Sequence, residues 1–315
     1  MTAIGGYFSL EPIGKTDSRT IFTRGELLNF GRACLLWIIR ARGYKRVWIP
    51  EYNCPSVSSY LKKYSIACET YPVDDHLEPQ LPMMAEGDGL VYINYFGIKS
   101  ETCRHLELQN LPLILDLSQA FFYEPLPTTD AFNSCRKFVG VLDGAFLMGH
   151  LAFDRFDAPH QEWSPGDCAH LLKRLDGDVA GGYLAFKEMS TRMADWVPAR
   201  VTSLTERMLG KIDWENVRQR RRANFSYYHE ALGAVNSLKL LPEQDGFALC
   251  YPFQADWVTA ETKTELIRLQ IFVPTYWPGA VRNAWTEHTL FLPCDQRYGQ
   301  DDIERVIDAV KRCRR

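Results

Sequence analysis

The stretch LPLILDLSQA, at residues 111–120, decides the fold because it joins a short apolar run directly to an acidic residue. We expect a strand over residues 112–115 that leads straight into Asp116. A continuous apolar run of this length is typical of a strand that a parallel sheet buries on both faces. Because an aspartate at a buried strand end is costly unless another group pairs with it, Asp116 is the first candidate functional residue.

Similar short runs lie on the N-terminal side of this stretch and alternate with helical segments. We predict strands at residues 46–50, 67–73 and 89–97, and helices that begin near Gly31 and span residues 55–64. This alternation predicts an α/β fold with a mostly parallel central sheet and helices on both faces. Since parallel α/β sheets bind ligands at the carboxyl ends of their strands, Asp116 and the turn NYFG lie where a ligand is expected.

The second half of the chain predicts a large domain that is followed by a smaller α+β domain. We expect a strand, a turn and a strand at residues 141–153, an irregular polar segment at 154–178, and a long helix at 206–233. That helix carries the basic run at 218–222, which we interpret as a solvated helix face. Beyond it we predict strands in LKLLP, FALCYPF and LFLP, a helix in ETKTELIRLQ, and a closing helix at 301–312. The predicted divisions are an N-terminal arm (1–20), a large domain (21–205) and a small C-terminal domain (206–315).

Composition excludes several classes of protein. The 315 residues are 46% hydrophobic and 24% charged, with a net charge of -3, which gives no reason to expect nucleic acid or an anionic membrane as a partner. No apolar stretch approaches the ~20 residues that a membrane span needs, and the N-terminus lacks a secretory signal. Nine cysteines without a CxxC pair, and histidines without metal spacing, predict a cytoplasmic protein with neither a disulfide framework nor a metal site.

The segment from Asp116 to Gly144 contains residue types that suit pyridoxal 5'-phosphate (PLP). An ionised carboxylate keeps a pyridinium nitrogen protonated, so that the ring withdraws electrons from a bound substrate. A lysine amine forms a Schiff base with the cofactor's aldehyde, and a serine near it can hold the phosphate. Asp116, Ser134 and Lys137 predict such a site. The alternatives at this stage are a helix N-cap for Asp116, an exposed loop position for Lys137 and a simple turn for Ser134.

The chain resembles the DegT/DnrJ/EryC1/StrS family of PLP-dependent aminotransferases, the nucleotide-sugar branch of the aspartate-aminotransferase fold (fold type I). FGRACL resembles the family's S-G-T-A-A-L, which implies that Arg32 and Ala33 contact the phosphate at a helix N-terminus. VWIPEYNCPSV resembles the strand and turn that carry the residue stacked on the ring, which implies Cys54 at that position. LPCDQRYGQDDIERVIDAV resembles the family's closing helix.

Two further motifs carry the remaining site residues. DLSQA resembles E-D-A-A-Q-A, which implies that Asp116 binds the ring nitrogen and Gln119 the ring hydroxyl. SCRKFVGVLDGAFL resembles S-x-x-x-x-K…E-G-G, which implies a Schiff base on Lys137 and a phosphate contact from Ser134, although the serine lies two residues nearer to the lysine than usual. The large domain would then be the PLP-binding domain.

The chain departs from the family pattern at two other places. Cys54 stands where the family usually has an aromatic residue, so Tyr52 or Tyr95 could cover the ring instead. The family's N-Y-R-M loop, which reaches the phosphate of the neighbouring subunit, resembles PARVTS. Arg200 matches its arginine, but Pro198 replaces its asparagine, so that contact is lost or replaced.

The resemblance implies an aminotransferase that acts on a keto sugar, with a nucleotide-linked sugar expected, and that works as a homodimer on small molecules (a sugar and an amino acid). Lys137 would shuttle the proton during transamination. One alternative is a PLP-dependent sugar-modifying enzyme of another reaction type, but the family's dehydratases carry histidine in place of the lysine. The other alternative is a catalytically inactive binding or regulatory homologue, which the changes at Cys54 and Pro198 favour.

Overall fold

A computed structural model describes residues 2–14, 25–149, 158–241 and 248–314. The strands within these ranges are β1 (Ile4–Gly5), β2 (Glu26–Leu28), β3 (Arg46–Pro50), β4 (Ala67–Tyr71), β5 (Asp88–Ile93), β6 (Leu113–Asp116), β7 (Asp130–Phe132), β8 (Ala145–Met148), β9 (Cys250–Gln254), β10 (Ile271–Phe272) and β11 (Thr289–Pro293). The helices are α1 (Gly31–Arg42), α2 (Pro55–Lys63), α3 (Ser100–Glu107), α4 (Ala169–Leu175), α5 (Val179–Asp195), α6 (Ser203–Leu209), α7 (Trp214–Leu232), α8 (Ala260–Arg268), α9 (Ala284–Glu287) and α10 (Gln300–Cys313). Short 3₁₀ turns lie at Tyr95–Gly97, Cys135–Lys137, Pro165–Cys168 and Gly233–Val235.

The central sheet has seven strands in the order β2-β8-β7-β6-β5-β3-β4. The neighbouring strands from β4 to β7 pair in parallel, whereas β8 runs antiparallel to β7 and β2 antiparallel to β8. Side chains alternate between the two faces, as they must in a strand. Ile114 of β6 packs in the same cluster as α1 and α2, while Leu113 and Leu115 pack with Leu106 of α3. The predicted α/β fold, with a mostly parallel sheet covered on both faces, is confirmed.

The C-terminal part of the chain has its own sheet and its own core. Strands β9 and β11 pair antiparallel, and the buried side chains of α7, α8 and α10 form one cluster with them. The closing helix is α10, with Asp301 and Asp302 in its first turn and Lys311 and Arg312 in its last. These charges complement the helix dipole as predicted. The boundaries of the proposed arm and domains remain a prediction.

Several predicted elements differ from those in the structure. Residues 141–143 are a buried bend and not a strand, because Val141 and Leu142 fill two separate core clusters and no neighbouring strand in the described ranges pairs with this segment. The irregular segment at 154–178 contains α4, and the helix expected at 206–233 is two helices, α6 and α7. The break comes at Gly210, and α7 then starts from an N-cap in which the Asp213 side chain accepts the amide of Asn216. LKLLP forms no strand over 238–241, while residues 150–157 and 242 lie outside the described ranges.

The basic run at 218–222 is not a uniformly solvated face. Arg221 is only 1% exposed, because α7 turns that position toward the interior. Its guanidinium instead donates hydrogen bonds to backbone carbonyls of distant segments. None of the helices in the described ranges is long and apolar enough to cross a membrane.

Candidate functional site

The carboxyl ends of three parallel strands meet at one edge of the central sheet. Asp116, the last residue of β6, is in register with Ile93 of β5 and with Phe132 of β7. The amide of Asn94 donates to the Asp116 carbonyl over 3.0 Å, and the amide of Leu117 donates to the Phe132 carbonyl over 2.7 Å. The segments that follow these strands therefore start side by side, where ligands of parallel α/β sheets bind.

Asp116 is a buried carboxylate at this edge, with 8% of its surface exposed. One of its oxygens, Oδ1, accepts the amide of Ser118 over 2.8 Å, which closes a turn two residues long. No helix starts after this turn, so the N-cap interpretation is excluded. No lysine, arginine or histidine among the described residues forms an ion pair with Asp116. A buried carboxylate of this kind suits a cationic ring N–H.

Gln119 lies just beyond Asp116 and carries an unused hydrogen-bond donor. Its side chain is 1% exposed, and Oε1 accepts the amide of Phe96 over 3.0 Å. This bond holds Phe96 in a left-handed conformation at φ 54°, which is unusual for a bulky residue. Nε2 of Gln119 has no partner among the described residues. Because buried donors are normally satisfied, this amide fits an acceptor on a bound group, as the ring hydroxyl of PLP would provide.

The N-terminus of α1 lies against the end of β7. A Cβ atom on Gly31 would lie 3.0 Å from the Phe132 ring and 3.1 Å from the Asn133 carbonyl oxygen, so this close approach favours glycine. The residue before the helix, Phe30, provides no side-chain cap. The Ala33 amide bonds to the Phe30 carbonyl over 3.0 Å, whereas the Gly31 and Arg32 amides bond to no other described residue. These two amides and the helix dipole suit a phosphate. The sequence indicates Gly31, the second residue of FGRACL, only as the start of the helix and not as a phosphate contact.

Lys137 ends the 3₁₀ turn that follows β7, and its side chain is half-buried. The turn is fixed at its start, because the Cys135 amide bonds to the Gly144 carbonyl over 2.9 Å and the Gly144 amide bonds to the Asn29 carbonyl over 2.8 Å. Gly144 has a φ of 106°, which favours glycine. Ser134 precedes the turn, is half-buried and does not cap it with its side chain. Lys137 therefore belongs to an anchored turn and not to an exposed loop.

No aromatic side chain takes the place that the resemblance gives to Cys54. This half-buried residue is the N-cap of α2, and its Sγ lies 3.0 Å from the Ser56 hydroxyl. Tyr52 and Tyr95 are fully buried and stack on each other, with ring centroids 5.7 Å apart. Their complete burial leaves neither ring face open to a cofactor. Burial lowers the pKa of the half-buried Arg32 guanidinium, and the nearby Cys54 partly offsets this effect.

Two further ionisable groups, which no sequence motif indicates, are Arg136, directly before Lys137, and Asp143, six residues after it. Asp143 is fully buried and accepts two hydrogen bonds from Thr202, one from its amide over 2.9 Å and one from its hydroxyl over 2.7 Å. Burial nevertheless raises the pKa of Asp143 to about 6. Burial lowers the pKa of the neighbouring Arg136 to about 10, an effect that Asp143 partly offsets. Asp143 thus bonds to the N-cap residue of α6, whereas Arg136 donates to the Met193 sulfur of α5 over 2.7 Å.

Asp143→Asn should make the stability of the protein less dependent on acid pH. As pH rises from about 4 to about 6, the unfolded chain loses the Asp143 proton while the folded protein keeps it, so folding becomes less favourable. Wild type should therefore lose on the order of 2 kcal/mol of unfolding free energy relative to the variant across this window. Urea unfolding at pH 4 and pH 7 measures the difference, and equal pH dependence in both proteins would contradict it.

The PARVTS segment packs against its own chain. Leu28 of β2 forms an antiparallel bridge with Arg200, and the amide of Asn29 bonds to the Ala199 carbonyl over 3.0 Å. The exposed Arg200 side chain lies 3.7 Å from the Glu206 carboxylate. Pro198, which precedes this pairing, supplies no side-chain hydrogen bond. Across the described ranges, no group of histidine, cysteine, aspartate and glutamate side chains is arranged to hold a metal ion.

The chain matches no protein-family model and no curated protein by sequence. Its structure, however, is similar over nearly its whole length to solved aminotransferases. The sugar aminotransferase CalS13 from Micromonospora echinospora has a TM-score of 0.64 and 12% identity, covering 97% of this chain and 99% of that one. DesI, solved in the presence of its TDP-sugar product, has a TM-score of 0.61 and 16% identity, covering 92% of this chain and 80% of that one.

Two other structures extend the comparison. Spr1654 from Streptococcus pneumoniae, a proposed sugar aminotransferase solved in its PMP form, has a TM-score of 0.63 and 13% identity, covering 98% of this chain and 92% of that one. A DegT DnrJ EryC1 StrS aminotransferase from Brucella abortus has a TM-score of 0.59 and 14% identity, covering 92% of this chain and 86% of that one. These likenesses establish a shared fold, and the fold type I architecture expected from the resemblance is confirmed.

Proposed function

We propose that this protein is a PLP-dependent aminotransferase that acts on a keto sugar. The observation that carries the proposal is, within the described ranges, a buried carboxylate without a cationic partner and a buried amide donor without an acceptor, three residues apart in the chain. The Asp116 carboxylate has no cationic partner among the described residues, and Gln119 Nε2 has no acceptor there. Asp116 pairs with Phe132 at the end of β7, and the anchored turn that ends in Lys137 follows β7. PLP presents a cationic ring N–H, a ring oxygen and an aldehyde, which match these three groups.

The described residues suggest how the cofactor would be held. Asp116 would bind the ring nitrogen and Gln119 the ring hydroxyl. The phosphate would lie at the start of α1, against the Arg32 amide and the Ser134 hydroxyl, with Ala33 behind it in the helix. Cys54 would lie beside the ring without stacking as an aromatic side chain would. When bound, PLP supplies an electron sink that stabilises negative charge on a substrate carbon.

The catalytic work of the chain itself would fall to two side chains. The Asp116 carboxylate would hold the proton on the ring nitrogen, so that the ring remains electron-withdrawing. Lys137 would carry the cofactor at rest, and its Nζ, once released by an amino donor, would move a proton between substrate and cofactor. The half-buried position of Lys137 would limit water at this atom.

The substrate class is proposed from the structural neighbours. CalS13 is a sugar aminotransferase, and DesI was solved with a TDP-sugar product, so a nucleotide-linked keto sugar is the acceptor we favour. An amino acid would be the donor. We further propose that the protein works in the cytoplasm as a homodimer, and that the region 21–205 is the PLP-binding domain. Because PARVTS packs on its own sheet, the subunit interface would not depend on an asparagine at position 198.

Peptide mapping of borohydride-reduced protein tests the proposal. Protein incubated with PLP and reduced should carry the phosphopyridoxyl group on the peptide that contains Lys137. Lys263 is the internal control, because it is also half-buried and burial lowers its pKa, which makes it a good target for non-specific labelling. Label on Lys263 as readily as on Lys137 would contradict the proposal.

A second measurement separates transamination from the alternatives. Addition of an amino acid to the PLP-bound protein should convert the bound cofactor to PMP and release the corresponding keto acid. Cofactor that binds at Lys137 but is not converted by any of a panel of amino acids would favour a PLP enzyme of another reaction type. Protein that binds neither PLP nor PMP would favour the inactive homologue, which the cysteine at position 54 also favours.

A further inference from the structure

The carbonyl of Phe138, the residue directly after Lys137, accepts two side-chain hydrogen bonds from the C-terminal part of the chain. Arg221 of α7 donates through NH2 over 3.1 Å, and Gln296 donates through Nε2 over 2.9 Å. Gln296 lies in the segment between β11 and α10. Two donors from distant elements therefore converge on the peptide group between Phe138 and Val139, one residue beyond the lysine.

Arg221 is held as part of this arrangement, and it forms no ion pair with any residue that the structure describes. It is 1% exposed, its remaining donors go to the carbonyls of Ala248 and Leu249 over 3.3 Å each, and its Nε donates to Gln296 Oε1 over 3.2 Å. Its guanidinium carbon also lies 4.4 Å from the centre of the Phe138 ring. Burying a charge without a bonded carboxylate is costly, so the burial of Arg221 costs free energy of folding.

Gln296 also contacts Glu11, which binds Gly140 at the other end of residues 138–140. The Gln296 Nε2 lies 3.1 Å from Oε1 and 3.3 Å from Oε2 of the Glu11 carboxylate. Glu11 is buried, and its Oε2 accepts the amide of Gly140 over 2.9 Å. Residues 138–140 are therefore fixed at both ends by side chains that meet at Gln296.

We propose that Arg221 and Gln296 are positioning residues that hold Lys137 at the place where its Nζ reaches the aldehyde of PLP. This inference rests on the proposed function. In the reaction, the neutral amine of Lys137 adds to the aldehyde carbon, a C=N bond replaces C=O, and the oxygen leaves as water with the two amine protons. The rate and the equilibrium of this step depend on where Nζ lies, whereas the ring and phosphate contacts do not.

Comparing PLP with PMP separates the effect of the Lys137 position from the effect of the ring and phosphate contacts. PMP has an amine in place of the aldehyde, so it uses the ring and phosphate contacts but forms no covalent link to Lys137. Gln296→Met keeps the side-chain length and removes the donor to Phe138. We expect this variant to form the covalent PLP adduct about tenfold or more slowly, since small displacements of a reacting group are costly. Its dissociation constant for PMP should stay within about twofold of wild type.

Gln254→Met is the matched control. Gln254 is also half-buried and donates one side-chain hydrogen bond, to the Thr289 hydroxyl over 3.1 Å, in the C-terminal sheet away from Lys137. It should bind both cofactors like wild type. If Gln296→Met does not fold, Glu11→Gln takes its place, because it keeps an acceptor for the Gly140 amide and weakens the contact with Gln296.

The possible results have distinct meanings. Slower PLP attachment with unchanged PMP binding supports the inference. Equal losses for PLP and PMP would show a general structural role and overturn it, as would unchanged PLP attachment. Wild-type protein that binds PMP but never links PLP to Lys137 would overturn the proposed function itself, and that result is read before any variant is made.

Discussion

Lys137→Ala should lose the covalent cofactor link completely and should slow the conversion of bound PLP to PMP by about 10²–10⁴-fold. The lysine is the residue proposed both to carry the cofactor and to move the proton, and it is the one lysine of the anchored turn Cys135–Lys137. Absorbance of the bound cofactor, followed after addition of an amino acid, measures the conversion directly. The substitution removes only the side chain, so the backbone hydrogen bonds of the turn should form as in the wild type.

Lys263→Ala is the control for this experiment. It removes a half-buried lysine of α8 that donates to the Thr275 hydroxyl and the Thr286 carbonyl. Any effect of this substitution should therefore be on stability. It should keep the cofactor and the rate of conversion. If Lys137→Ala still carries a borohydride-stable adduct, another amine holds the cofactor and the assignment of Lys137 is wrong.

Asp116→Asn should lower the rate of the same conversion by about 10²–10³-fold, the usual cost of removing one electrostatic contact to the reacting group. Asparagine has nearly the same shape and its Oδ1 can still accept the Ser118 amide, so the turn after β6 should persist. The neutral asparagine side chain has no negative charge with which to stabilise the proton on the ring nitrogen. The variant should therefore bind PMP and form the covalent PLP adduct, yet convert it slowly.

Asp74→Asn serves as its counterpart. Asp74 also closes a turn, by accepting the amides of His76 and Glu78 through Oδ1, but it lies in the segment after β4. The substitution should leave the rate unchanged. A conversion rate for Asp116→Asn within about threefold of wild type, smaller than any catalytic electrostatic contribution of ordinary size, would remove Asp116 from the mechanism.

The parts of the fold that could be predicted are those specified by local sequence. Strand β3 matches its predicted range of 46–50, and β6 ends at Asp116 as expected, because continuous apolar runs report burial on both faces. The closing helix α10 was predicted because its apolar stripe and terminal charges repeat with the helical period. The edge where Asp116 lies follows from the same reasoning.

The parts that could not be predicted depend on contacts between distant residues. Strand β7 is only three residues long and starts with an aspartate, so it has no apolar run to reveal it. Arg221 lies in a run of charged residues, and its burial depends on the carbonyls of Phe138 and Ala248, which no local pattern indicates. Asp143 gives no local signal for the same reason, since its partner Thr202 lies 59 residues further along the chain.

The short strand β1 has a consequence for how the protein is made. Ile4 pairs with Ile271, and the Gly5 amide donates to the Tyr298 hydroxyl, 293 residues further along the chain. During translation these first residues emerge long before their partners exist. Because contacts between residues so far apart in sequence form late, the segment around Ile4 should be among the last parts to become ordered. Glu11 lies in this early segment and reaches Gly140 and Gln296. The surroundings of Lys137 should accordingly be completed only after Gln296 has left the ribosome.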